Sequence, residues 1–210
     1  MVKHSSHTRR TPVHKGFTLI EILAVVAIIG ILATISMSVI ATARRSANQA
    51  VTKSMYSQWA TAIAQYKTTY GYYPNLGSGY TANEDTYYNL DNGDICENFV
   101  RALSGRNMDG TDLSDTERKS LNRKGETFCD FPKDYYLDGD PKKKKLSDYT
   151  GNTKIRVVLD TDRQAGIILK ELPENKGNLG LQDGNRLNAK IVIYTLKADG
   201  TDCDDIFFSK

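Results

Sequence analysis

Histidine is nearly missing from this chain. His4, His7 and His14 are the whole supply, and none follows residue 14. Beyond that point no Ser-His or Cys-His pair can be built, and no histidine metal site. Cysteine is scarce as well: Cys96, Cys129 and Cys203 are the three, and no CxxC spacing occurs. That argues against a zinc or thioredoxin-like site. Outside the cytoplasm one disulfide could form and leave one thiol over, with all three pairings open. The alternative is three unpaired, partly buried cysteines. Proline is absent between Phe17 and Tyr73, so no residue there forces a helix to break. Acidic residues are absent from residues 1–16, where Lys3, Arg9, Arg10 and Lys15 supply +4. Subtracting that +4 from the net +3 of the whole chain leaves −1. No basic surplus remains for nucleic acid, and no nucleic-acid partner is expected.

What is present begins with an uncharged apolar run. Residues 22–35 carry no charge, and with weaker flanks the run extends from Phe17 to about Ala43. A spanning helix needs about 20 apolar residues, so this length suits a membrane. A core helix would show a polar face, and this run shows none. A secretory signal peptide is cut after its apolar run. Here the candidate site, Lys15-Gly16-Phe17-Thr18-Leu19-Ile20-Glu21, comes before it. Cutting after Gly16 removes the charges and leaves the anchor on the mature chain. The basic leader predicts a cytoplasmic N-terminus with the bulk of the chain outside. Arg44 and Arg45 weaken that asymmetry without reversing it. Glu21 is out of place at the edge of a spanning helix, where a carboxylate is costly and calls for a partner. A new amine on Phe17, supplied by a neighbouring chain staggered along an axis, is one candidate. Protonation or snorkelling to the headgroups is the other.

The segment from Gly16 through Phe17 and Glu21 to Ala33 resembles, nearly residue for residue, the class III signal of type IV prepilins and type II secretion pseudopilins. The resemblance implies cleavage between Gly16 and Phe17 by a prepilin peptidase, which also methylates Phe17. It further implies that Glu21 is the assembly glutamate. Expected partners are that peptidase/methyltransferase, like or related pilin subunits, an inner-membrane assembly platform and membrane lipid. The expected location is the inner (cytoplasmic) membrane, single-pass. The family often has a proline within the membrane helix that assists local unwinding; Ser38 lies in that region and no proline is present.

Past the membrane, Val51, Met55, Trp59, Ala62, Ile63, Tyr66 and Tyr70 recur at three- and four-residue steps and mark one apolar helical face. Gly71 can end that helix and Pro74 cannot continue it. One helix of about 54 residues, roughly 80 Å long, is therefore expected. Strand signals follow at Lys154–Asp160, Ile167–Leu169, Lys190–Leu196 and Ile206–Phe208. Short helices are expected around Cys96–Leu103 and Ser114–Leu121, and a solvated loop at Lys142–Lys145. The fold class is α+β: a long N-terminal helix on a small antiparallel C-terminal sheet. Three parts are expected: a cleaved leader (1–16), a transmembrane and assembly helix (17–43) and an extracytoplasmic globular domain (44–210). Tyr70-Gly71-Tyr72-Tyr73-Pro74, Val157–Asp162 and Tyr194–Ile206 resemble the helix end, penultimate strand and closing segment of pseudopilins.

Asp199, Asp202, Asp204 and Asp205 place four carboxylates within seven residues. Calcium takes six to eight oxygens of this kind, and the resemblance implies a calcium loop at about this place. The spacing is not that of an EF-hand, and Asp-rich turns also occur without metal. The resemblance to a pilus proper implies a Cys129–Cys203 pair. Two further readings stand beside the filament subunit. A tethered calcium- or ligand-binding module would use the anchor without polymerising. An extracytoplasmic enzyme is not expected, because no nucleophile–base spacing appears.

Overall fold

The computed structural model describes residues 18–77, 84–162, 164, 166–169, 186–197 and 203–209, without the side chains of 35–39, 203–206, 208 and 209. The chain divides into two compact units, Met1–Arg44 and Arg45–Lys210. The expected long helix is α1, Leu19–Tyr70, 52 residues with no break in its backbone at residues 35–39. In its first unit the hydroxyl of Thr34 donates to the Ile31 carbonyl at 2.8 Å, which satisfies a polar group within an apolar run. Gly71 closes α1 at φ +84° and donates its N–H to the Lys67 carbonyl at 2.8 Å. A side chain would be strained at that angle.

In the second unit the predicted face of α1 is the core face. Met55, Trp59, Ala62, Ile63 and Tyr66 are all buried, joined by Tyr56 and Ala60. Val51 is the exception at 41% exposed, and Thr52 is buried in its place. Thr52 lies one turn before Tyr56 and accepts the Tyr149 N–H at 3.3 Å, so the covering loop sits on the Thr52 side.

Four strands form an antiparallel sheet in the order β1-β2-β3-β4: Thr86–Asn89, Ile155–Leu159, Ile191–Leu196 and Cys203–Ser209. Successive residues of the central strands feed opposite faces. Ile155, Val157, Leu159, Ile191 and Ile193 join the cluster that holds α1. Val158, Val192, Tyr194 and Leu196 join a second cluster with Ile167 and Ala189. With both faces covered, every position of β2 and β3 is buried, Arg156 and Thr195 among the apolar residues included, so neither strand alternates between apolar and polar.

The expected short helices are present. The first, α2, covers Gly93–Ser104 and is capped by Asn92 at its start and Gly105 at its end. The second, α3, covers Asp115–Leu121 and opens with a Ser114/Glu117 capping box. A buried amide after α3 ties these pieces to α1. Asn122 Oδ1 accepts from the Tyr70 hydroxyl at 2.8 Å and the Glu126 N–H at 3.0 Å. Its Nδ2 donates to the carbonyls of Ala102 at 2.9 Å and Glu126 at 2.6 Å. Nearby, the Tyr66 hydroxyl donates to the Leu121 carbonyl at 2.7 Å.

Three expectations need correction. Strand β1 was not expected; it forms because Thr86–Asn89 finds a partner in β2. The expected strand at Ile167–Leu169 is reduced to a single bridge between Ile167 and Leu187. Strand β4 begins at Cys203, ahead of the expected Ile206, so Asp204 and Asp205 lie in a strand rather than a turn. A register shift opposite Thr195 and Leu196 accommodates that entry. The lysine run is exposed at Lys142, Lys143 and Lys144 as expected. Lys143 pairs with Asp138, and Lys144 with Glu97 at 2.7 Å.

Cys96 and Cys129 are free thiols. Burial pushes the Cys96 thiol up to about 12 and the Cys129 thiol up to about 11. Thiolate is the reactive form, so both resist alkylation near neutral pH. We expect Cys96 to react with a thiol reagent at pH 8 only after denaturant is added. Fast labelling of Cys96 in the native chain, read by peptide mass, would refute its burial.

Candidate functional site

The N-terminal signal is where chemistry and fold meet. Gly16 and Phe17 lie outside the described residues, so the scissile bond has no geometry here. Glu21 does. It sits in the first turn of α1. Its carboxylate turns back on the residue that opens the helix: Thr18 donates both its N–H and its hydroxyl to Glu21 Oε2, each at 2.8 Å. In return the Glu21 N–H donates to Thr18 Oγ1 at 3.3 Å. This is a capping box, Thr-x-x-Glu, which satisfies helix donors that would otherwise lack a partner. Both carboxylate bonds fall on Oε2, so Oε1 is not used by the box. The spacing was legible in the sequence; reading Glu21 only for its cost in a membrane hid its local role.

Leu19 to Thr34 presents exposed apolar side chains: Leu19, Leu23, Val26 and Ile31 are each more than 60% exposed. Among the described residues no helix is long and apolar enough to cross a membrane. The side chains of 35–39, which would extend the run, lie outside them.

The expected calcium residues are not brought together by anything described. Asp199 and Asp202 lie outside the described residues; Asp204 and Asp205 are in β4 without described side chains. A different carboxylate group converges instead. One oxygen each from Asp85, Asp160 and Asp162 lies within 4.8 Å of the others. No sequence signal links residues 75 positions apart; the β1–β2 register does.

No curated protein and no solved structure matches the chain. Residues 12–37 match the family model described as the prokaryotic N-terminal methylation motif. The chain therefore carries the class III N-terminal signal of a type IV pilin-like precursor, the kind that a prepilin peptidase processes.

Proposed function

We propose that this chain is a structural subunit of a pseudopilus or type IV pilus-like filament, without catalysis of its own. The order of features along residues 1–37, of which 12–37 match the methylation motif, carries the reading: a basic leader, a Gly16–Phe17 junction, Glu21, then an apolar helix. Cleavage at that junction removes the charge and keeps the hydrophobic anchor. The run from Phe17 to about Ala43 crosses the cytoplasmic membrane, with the leader on the cytoplasmic side and the second unit outside. Subunits then associate through their apolar helices, each Glu21 neutralising the Phe17 amine of a neighbour. The absence of histidine after residue 14 supports a non-catalytic role. The likeness of Tyr194–Ile206 to the pseudopilin closing segment favours the secretion pseudopilus over the surface pilus.

The test is mass spectrometry of the N-terminus of the protein from its native membrane. The expected chain begins at N-methyl-Phe17. An intact Met1 leader in cells that hold an active prepilin peptidase would reject the filament reading and leave a plain tethered module.

A further inference from the structure

Three carboxylates meet at one corner of the sheet. Thr86 pairs with Leu159, so Asp85, just before β1, stands opposite Asp160, just after β2. Asp162 follows two residues later and completes a group whose oxygens lie within 4.8 Å of one another. Like charges directly opposite on antiparallel strands repel. One guanidinium answers them: Arg186 Nη2 donates to Asp162 Oδ2 at 2.6 Å. With three carboxylates ionised and one guanidinium counted, the group carries −2.

Asp85 supplies a second, separate observation. It is 6% exposed, and its Oδ2 accepts the Ile168 N–H at 3.0 Å. Among the described residues its buried Oδ1 has no hydrogen-bond partner. Such an oxygen is expensive to bury. Burial pushes the Asp85 carboxyl above the usual range despite the Ile168 bond, and Asp162 and Asp160 add to the shift. A cation relieves all of these costs together. Calcium accepts several protein carboxylates in flexible geometry, whereas magnesium keeps several waters and is usually held by one or two, so three converging carboxylates favour calcium. Asp160 is half-buried and also lines an open cleft with Lys67, Tyr73 and Thr86, which gives an ion a way in.

We propose that Asp85, Asp160 and Asp162 bind a hard divalent cation of calcium's size, which fastens the start of β1 to the turn after β2. The site uses none of Asp199, Asp202, Asp204 and Asp205, and it stands or falls independently of the filament reading.

The test is thermal unfolding of the full chain in detergent, followed by the fluorescence of Trp59, in chelator and in calcium. At calcium about 100 times Kd, a rise in Tm of roughly 5–10 °C is expected for the wild type. Asp85→Asn and Asp160→Asn should each lose that rise, while Asp199→Asn with Asp202→Asn keeps it. In chelator Asp85→Asn should melt no lower than wild type, because it removes an uncompensated charge. If Asp85→Asn does not fold, the half-buried Asp160→Asn carries the comparison. An unchanged wild-type Tm at millimolar calcium, or a calcium response kept by Asp160→Asn, would overturn the site.

Discussion

Glu21→Ala is expected to leave cleavage after Gly16 intact and to abolish filament formation. Alanine removes two things, and their sizes differ. The capping box contributes about 1 kcal/mol to the helix start. A helix of 52 residues does not fail for want of that. The charge is the larger matter. A carboxylate at the edge of the membrane, facing a neighbour's amine in low dielectric, has a partner worth several kcal/mol to keep. Glu21→Gln separates the two roles. Glutamine can still accept from Thr18 N–H and Oγ1 in a Thr-x-x-Gln box. It cannot neutralise an ammonium. The expected result is that glutamine fails to assemble as alanine does, with both precursors cleaved and methylated. Filaments of normal number from Glu21→Gln would assign the residue to helix capping and end its role as the charge partner. The measurement is electron microscopy of sheared filaments beside N-terminal mass analysis of the same cells.

Trp59→Ala is expected to destabilise the second unit by about 3–5 kcal/mol, a large share of a typical domain's total stability. Trp59 is fully buried, and four rings surround it. Tyr56, Phe99, Phe131 and Tyr135 have centroids 5.6, 5.4, 5.9 and 6.0 Å away. These come from α1, α2 and the segment after α3, so the indole joins three parts of the chain. Truncation leaves a cavity among rigid rings that cannot collapse onto it. The indole also carries a flaw: among the described residues its buried Nε1 has no hydrogen-bond partner. Trp59→Phe loses ring volume and removes that orphan donor, two effects of opposite sign. It is therefore expected to cost much less than alanine. Circular dichroism melts of both variants check this. A loss below about 1 kcal/mol for Trp59→Ala would mean that the cluster is not the centre of the core.

The sequence made the helical parts legible because their signals are local. The step of three and four through Met55, Trp59, Ile63 and Tyr66 needs no distant partner to be read, and Gly71 announces the end. Strands β2 and β3 were legible from β-branched density alone. Strand β1 was not: Thr86-Tyr87-Tyr88-Asn89 is four residues in an Asn- and Asp-rich stretch, and only pairing with β2 makes it a strand. Ile167–Leu169 has strand composition but pairs at one position. At the candidate site, Gly16, Phe17 and Glu21 are adjacent in sequence, and a motif could find them. Asp85 and Asp160 are adjacent only through register, and no linear pattern records that.

The Asn122 cluster has a mechanical consequence. A filament subunit that is pulled along α1 must pass the load from its helix into the body around it. Apolar contacts slide under shear, because they have no preferred register. Directed bonds resist it until they break together. The Tyr66 hydroxyl on Leu121, the Tyr70 hydroxyl on Asn122 and the Lys124 N–H on the Tyr70 hydroxyl lie side by side at the last turns of α1. Further back, Tyr56 bonds Thr195 on β3. Tension that reaches the end of the helix thus meets a brace of tyrosines. The load is shared between the sheet and the loop after α3, so no single contact has to hold it.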